Sequence, residues 1–374
     1  MSWTSQTLDQ LGYLSRGRSR HRPRDAVHLY GGPYPFIQTG DVKHAGLYVR
    51  DYQQTYSEAG LQQSRLWPAG TLCITIAANI ADTAILGIDA CFPDSVIGFI
   101  PDEKKADARF VKYLFDATIQ QRIKQFTQGA AQDNLSQEKL LSIDFSVPNV
   151  DEQKRIASIL SAYDDLIENN RRRIHLLEQA ARLLYKEWFV HLRFPGHEHV
   201  KIKDGVPDGW EKKQIGELAP FKYGKALKEG DRIPGPYPVY GSSGIVGTHD
   251  KALVAGTAII VGRKGNVGSV YWSNIDFYPI DTVYYIEAEN SSLYLYYALL
   301  HTQFNSTDVA VPGLNRNYAH SRTVLVPDDK IINLFEQHPE VIHDQIERLV
   351  KQRQVLTKAR DLLLPRLMNG EVAI

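Results

Sequence analysis

Asp164-Asp-Leu-Ile-Glu-Asn-Asn170 opens a helix-patterned stretch, residues 164–188, that returns as His343-Asp-Gln-Ile-Glu-Arg-Leu349 over residues 343–367. Asp165 and Asp344, Ile167 and Ile346, Glu168 and Glu347, Leu177 and Leu356, Ala180 and Ala359, and Leu183 and Leu362 are all 179 positions apart. A single offset held over that many matches marks an internal duplication. The lead-in repeats as well: Asn134-Leu135 reaches Val147-Pro148 after 13 residues, and Gly313-Leu314 reaches Val326-Pro327 after the same interval.

The first stretch belongs to a longer helix. Asn149 and Glu152 have the spacing of a capping box, in which the Asn side chain accepts a first-turn N–H and the Glu returns the bond. Ile156, Leu160, Tyr163, Ile167, Asn170, Ile174, Leu177, Ala181, Leu184 and Trp188 then follow in alternating steps of four and three. This is a heptad seam with Asn170 as its one polar member. The second copy carries Ile342, Ile346, Leu349, Leu356, Leu363 and Leu367, with Arg353 and Arg360 interrupting the seam. Pro339 predicts a break upstream, and Pro365 predicts the end. An amphipathic helix usually packs on its own domain. Two such helices in one chain offer each other as partners, so the pattern predicts an antiparallel intramolecular coiled coil.

Outward from the helices lie two globules. Tyr34-Pro-Phe-Ile-Gln-Thr-Gly40, Gly70-Thr-Leu-Cys-Ile-Thr-Ile76 and Ser95-Val-Ile-Gly-Phe-Ile100 read as short strands bounded by Gly, Pro and Asp, and residues 107–128 read as helix. In the second globule Trp210 echoes Trp3 and Gly224 echoes Gly17 at an offset of 207, while Gly256-Thr257 echoes Gly70-Thr71 at 186. Changing offsets mean insertions and deletions, which loops absorb most readily. The expected class is α+β, with two similar α/β globules separated by two long antiparallel helices in a pseudo-twofold arrangement. The expected boundaries are 1–148, a helix over 149–191, a linker over 192–208, 209–328, and a helix over 329–374.

Composition limits function. A chain of 374 residues can fill two ordinary domains. Cys73 and Cys91, in apolar sequence without a CxxC pair, suggest neither a disulfide framework nor a zinc site and fit a reducing cytoplasm. No basic-then-apolar leader opens the chain. Its most apolar stretch, residues 71–100, is interrupted by Asn79, Asp82, Asp89 and Asp94, so a cytoplasmic protein without membrane partners is expected. Net charge is zero, which by itself argues weakly against a nucleic-acid partner. Local distribution points the other way, because Arg16, Arg18, Arg20, Arg22 and Arg24 stand at every second position. Such a run is either a solvated loop or an anion site.

The constellations of catalysis are missing. The glycine-rich stretch from Gly256 to Gly265 lacks the GK[ST] of a phosphate-binding loop. Asp208 and Glu211 with Lys212 and Lys213 resemble nuclease acids only superficially, since both acids lie in one turn of chain. No Pro-Pro occurs, so the Asn/Asp-Pro-Pro-aromatic loop of an amino-methyltransferase is absent. His191, at the end of the expected helix, and His197 and His199, in the expected linker, lack partners to orient them on a metal. A non-catalytic chain without cofactor or metal is expected.

What remains are polar loop residues. In the first globule Gln38, Thr39, Ser64, Arg65, Asn79, Gln132 and Asn134 flank strand-like runs; in the second, Lys222, Lys225, Tyr240, Ser242, Ser243, Arg263, Lys264, Asn266, Asn315, Arg316 and Asn317 do. Arg suits the O6 and N7 edge of guanine, and Asn or Gln the N6 and N7 edge of adenine. The alternating arginines would hold phosphates and set register.

Asp151-Glu-Gln-Lys-Arg-Ile156, Leu183-Leu-Tyr-Lys-Glu-Trp-Phe189, Val206-Pro-Asp-Gly-Trp210 and Arg360-Asp-Leu-Leu-Leu-Pro-Arg-Leu-Met-Asn-Gly-Glu371 carry a family likeness. With the duplication, they make the chain similar to the specificity subunit of type I restriction-modification enzymes over essentially its full length. The resemblance implies two target-recognition domains, each reading one half of a split site on double-stranded DNA. Two helical conserved regions would join them, paired through Ile167, Ile174, Leu177, Leu184, Leu349, Leu356 and Leu363. It implies two modification subunits that supply S-adenosylmethionine-dependent adenine methylation, and restriction subunits that use ATP and Mg. All three cofactors would sit on those partners. Lys330-Ile-Ile332 stands where the first copy has Asp151-Glu152-Gln153, which implies that the two docking sites differ. Two alternatives stay open: the specificity subunit of a stand-alone or fused methylase-nuclease, and a coiled-coil scaffold with no DNA role.

Overall fold

A computed structural model describes residues 3–77, 80–120, 136–302, 304 and 313–372. The chain divides into two compact units, residues 1–172 with 349–374, and residues 173–348. The division therefore falls within the two long helices, Val150–Tyr185 and Asp329–Met368, and each unit contains a globule plus part of both helices.

The first unit is built on a five-stranded sheet in the order Gly12–Arg16, Val96–Pro101, Leu72–Thr75, Thr83–Leu86, Tyr48–Val49, with only the last pair parallel. Side chains alternate across it with the period of two that a strand imposes. Leu72, Ile74, Ile85, Ile97 and Phe99 face a core shared with Phe110 and Leu114 of the helix Ala108–Phe115. Cys73, Ala84, Leu86 and Val96 face the other side, against Trp67 and Phe92. Both cysteines are buried free thiols, and burial pushes Cys91 up to about 11. Asp107 caps the helix by accepting from the backbone N–H groups of Arg109 and Phe110.

The second unit repeats this plan on a four-stranded sheet of Lys222–Tyr223, Val283–Ile286, Ala258–Gly262 and Val270–Ser273. Ile259, Val261, Tyr284 and Ile286 face the helix Leu293–His301, whereas Ala258, Ile260 and Val283 face a second small core with Tyr240 and Phe277. The matches extend to details. Thr4–Gln6 pairs antiparallel with Phe145–Val147, as Glu211–Gln214 does with Thr323–Val326. The two echoed glycines occupy one environment. A Cβ on Gly17 would lie 2.3 Å from the Phe92 carbonyl oxygen, and one on Gly224 would lie 2.1 Å from that of Ile280. Neither site has room for a side chain. Gly70 and Gly256 share a positive φ, 88° and 75°, a conformation that glycine adopts without steric cost.

Asn149 accepts from the backbone N–H of Glu152 at 3.0 Å, which starts the first long helix at the sequence-predicted position. Within the first unit the helices run antiparallel. Asp164 pairs with Arg360, and Asn170 donates to Gln352 at 3.3 Å. The arginine that interrupts the apolar seam is thus neutralised inside it: Asp164 is 7% exposed and also accepts from the Tyr113 hydroxyl at 2.5 Å. Burial opposes the charge of Arg360, but Asp164 and Asp361 together outweigh it and keep the guanidinium protonated. Along the seam, Ile156, Leu160, Asn170, Ala181 and Trp188 are buried, while Ile167, Ile174, Leu177 and Leu184 are half-buried; in the second helix Leu349 is buried and Leu356 and Leu363 are half-buried.

In the second unit Tyr185, Trp188 and Phe189 surround the fully buried Phe335. A wider, π-helical turn over Lys186–Val190 brings the adjacent Trp188 and Phe189 both inward. The break expected at Pro339 and the end expected near Pro365 are corrected: the helix continues through both. A proline removes one intrahelical bond and crowds the preceding turn, at a cost of about 3 kcal/mol. Buried neighbours on the same face, Ile331 and Phe335 before Pro339 and Leu367 and Met368 after Pro365, hold the flanking turns in place. Residues 192–208 contain a 3-10 turn, His197–His199, and a small hairpin of Ile202–Lys203 with Val206–Pro207, with Phe194 buried against Trp210.

The duplication places unlike chemistry at like positions. Asp164 and His343 are one repeat apart. Each is hydrogen-bonded to a tyrosine of its own unit's short helix: Asp164 accepts from Tyr113, and His343 Nε2 lies 2.8 Å from the Tyr297 hydroxyl. The repeat of Arg360 is Ala181, which is fully buried. One unit therefore holds a charged triad where the other holds a neutral pair.

Candidate nucleic-acid interface

In the second unit two loops lie side by side. The Leu314 N–H donates to the Arg263 carbonyl at 2.8 Å, and Lys264 bridges Gly313. This joins Arg263, Lys264 and Asn266 with Asn315, Arg316 and Asn317. Both arginines converge on a residue that sequence reasoning passed over. Their guanidinium carbons each lie 5.0 Å from the centre of the Tyr223 ring. Tyr223 is 46% exposed on the edge strand just before Gly224. Its place between Lys222 and Lys225 was the available signal, an aromatic interleaved with basic residues.

Arg263 also donates to the Asp281 carbonyl at 3.0 Å, and Lys264 lies 3.8 Å from the Asp281 carboxylate. Lys222 is paired with Glu287, and the exposed Lys225 is anchored by its backbone N–H on the Pro279 carbonyl. Asn315 caps the helix Arg316–Ser321 by accepting from the N–H groups of Asn317 and Tyr318, so its oxygen is committed to structure. The Ser242 carbonyl accepts from Ser269 and Tyr271, which sets it against the turn carrying the exposed Asn266; Ser243 is exposed. Tyr240 requires a correction. Its side chain, 7% exposed, belongs to the core with Val254 and Phe277, and burial pushes its hydroxyl up, so it presents no group at the surface.

In the first unit the arginine run lies along residues 63–65. Gln63 accepts from the backbone N–H groups of Arg20 and His21, and Ser64 donates to the Arg18 carbonyl at 2.8 Å. The alternating arginines do not act alike. Arg16 donates to the Asp94 carbonyl, Arg22 to the carbonyls of Ser19 and His21, and Arg24 Nη2 to both oxygens of the Asp94 carboxylate, at 2.8 and 3.1 Å. All five are exposed, but these three also tie down their own loop.

Arg65 lies 4.0 Å from the Trp67 ring centre and 5.0 Å from that of Tyr13, whose hydroxyl accepts from it at 2.9 Å. Gln38 caps the helix Thr39–His44 and bonds Gln54, making no bond to the arginine run; Thr39 is half-buried. Asn79, Gln132 and Asn134 lie outside the described residues. Among the described residues no group of three or more His, Cys, Asp or Glu could hold a metal, and no helix is long and apolar enough to cross a membrane.

Comparison with known proteins places these loops in a family. The profile of the type I restriction modification DNA specificity domain matches residues 2–179 and 207–317. The MjaIX type I restriction enzyme specificity subunit of Methanocaldococcus jannaschii is 24% identical, covering 100% of this chain and 94% of that protein. The HindI specificity subunit of Haemophilus influenzae is 22% identical over 97% of this chain and 98% of its own. The crystal structure of a type I restriction-modification S subunit from M. genitalium superposes with a TM-score of 0.62 at 20% identity, covering 98% of this chain and 96% of that one. A profile match over both globules and the first long helix, with a shared fold, decides the matter: the chain belongs to the type I restriction-modification DNA specificity domain family.

Proposed function

We propose that this chain is the DNA-reading subunit of a type I complex, in which each globule recognises one half of a bipartite site and the helices fix the spacer between the halves. The observation that carries this reading is the contrast between constant and variable parts of the duplication. Strand plan, glycine environments and helix register recur, while the loops that gather basic and amide groups share no residue pattern. That is what two different sequences read from one frame require.

Outward-facing apolar residues on the helices support docking of two modification subunits. Leu176 and Leu183 are 61% and 59% exposed, and their counterparts one repeat later, Val355 and Leu362, are 68% and 64% exposed. Paired apolar patches in one register suit two copies of one partner. On this reading methyl transfer with S-adenosylmethionine, and any ATP- and Mg-dependent translocation and cleavage, belong to the partner subunits, and this chain contributes no catalytic group. The different starts of the helices, with Gln153 bonded to the Lys105 and Pro148 carbonyls in one copy and Ile332 at the matching place in the other, would make the two docking sites unequal. Methylome sequencing of a cell carrying the chain and its modification partner should return one split motif, two defined half-sites around an undefined spacer of fixed length. A continuous motif, or no motif, would contradict it.

A further inference from the structure

We infer that three of the arginines lying over tyrosine rings, Arg263 and Arg316 in the second unit and Arg65 in the first, are residues that read guanine, and that the alternating arginine run is not. This rests on the DNA-reading function proposed above and deepens it.

Two observations converge. The first is charge. Around Tyr223, Arg263, Arg316 and Lys264 meet one carboxylate, Asp281, among the described residues, and Arg316 has no hydrogen-bond or ion-pair partner there. Two guanidinium groups on one ring repel each other, so the cluster favours a ligand that supplies acceptor oxygens and nitrogens.

The second observation is rigidity. A guanidinium held over an aromatic face is restrained there, and Arg65 is restrained further by its bond to Tyr13. Bidentate recognition of guanine O6 and N7 needs a planar fork held at a set angle, whereas a phosphate is served by a mobile cation. Tyr13 and Tyr223 occupy corresponding edge strands, Gly12–Arg16 and Lys222–Tyr223, each leading into one of the echoed glycines. The arginines reach them from different places in the chain, position 65 in one copy and positions 263 and 316 in the other. An arrangement reached by two routes on one framework points to use rather than inheritance. Arg16, Arg22 and Arg24, by contrast, lie over no aromatic ring among the described residues, and their donors go to local carbonyls and Asp94.

The test is selection from a randomised pool of DNA duplexes by the full-length chain and its Arg316→Ala, Arg316→Lys and Arg65→Lys variants, with melting temperatures recorded for each. Arg316→Ala should lower discrimination about tenfold to a hundredfold at one guanine of one half-site and leave the other half-site untouched. Lysine at 316 should not restore that discrimination, because it keeps charge without the fork. Arg65→Lys should relax a guanine in the opposite half-site, a second reading should Arg316→Ala fail to fold.

Affinity falling equally for all sequences, with a salt dependence reduced by about one ion, would identify a phosphate contact and overturn the inference. Unchanged selectivity would overturn it too. If the unaltered chain selects no sequence, the DNA-reading function itself fails, a different outcome from a reader whose variants keep their guanines.

Discussion

Arg360→Ala is expected to destabilise the first unit by about 3 kcal/mol, the low end of the cost of stranding one member of a buried ion pair. Asp164 would keep only the Tyr113 hydroxyl as a bonding partner. The low end applies because the Arg360 side chain retains 27% exposure, through which water can reach the orphaned carboxylate, while that of Asp164 retains only 7%. Tyr113 cannot relieve the charge by ionising; burial first, and then Asp164 itself, hold its hydroxyl far above the usual range, so it remains a donor. Replacing both partners, Asp164→Asn with Arg360→Gln, should cost markedly less than either single change, since no isolated charge is then buried. Urea unfolding of the four proteins in this cycle checks the result, and additive losses would show that Asp164 and Arg360 do not act as a pair.

The second unit should lose stability in acid through His343, where the first unit has Asp164. Burial lowers His343 to about 4, with Asp344 opposing, and its Nε2 is hydrogen-bonded to the Tyr297 hydroxyl. The rings of Trp272, Tyr296 and Tyr297 surround it, and Arg182 and Glu178 act on the same tyrosines from the first long helix. The folded value lies below the ordinary 6.5, so the neutral ring favours folding: the contribution is complete above about pH 6.5 and is lost as pH falls toward 4. The shift corresponds to at most about 3 kcal/mol. His343→Gln, which offers an acceptor without titrating, should flatten the profile of melting temperature between pH 7 and 4. A variant that follows the native profile would assign the acid sensitivity to other groups.

The long helices were more legible in sequence than the loops of the globules. One offset of 179 located both long helices, because helix period and heptad register survive divergence at individual residues. The prolines misled, since Pro339 and Pro365 carry a local penalty that says nothing about the packing on either side. Arg360 read as a flaw in the apolar seam because its partner, Asp164, lies on the other helix, and sequence order does not bring the two together.

Loop chemistry was legible as residue type but not as role. Tyr240 sits in a Gly- and Ser-rich segment that reads as surface, yet strand alternation turns its ring into the small core. Asn315 suits adenine and equally suits a helix cap, and its bonds to the N–H groups of Asn317 and Tyr318 give it the cap. Tyr223 drew no notice because its importance depends on two arginines that the fold delivers from 40 and 93 positions further along the chain.

The proposed function, two readers on one frame, makes a prediction that neither reader alone would make. Removing a heptad from each long helix, residues 171–177 and 345–351, preserves the apolar register while shortening the helices by about 10 Å, or roughly three base pairs at 3.4 Å each. Site selection with this shortened full-length chain should abandon the parental site and recover the same two half-sites at a shorter spacer. Recovery of the parental spacer with undiminished binding would contradict the account.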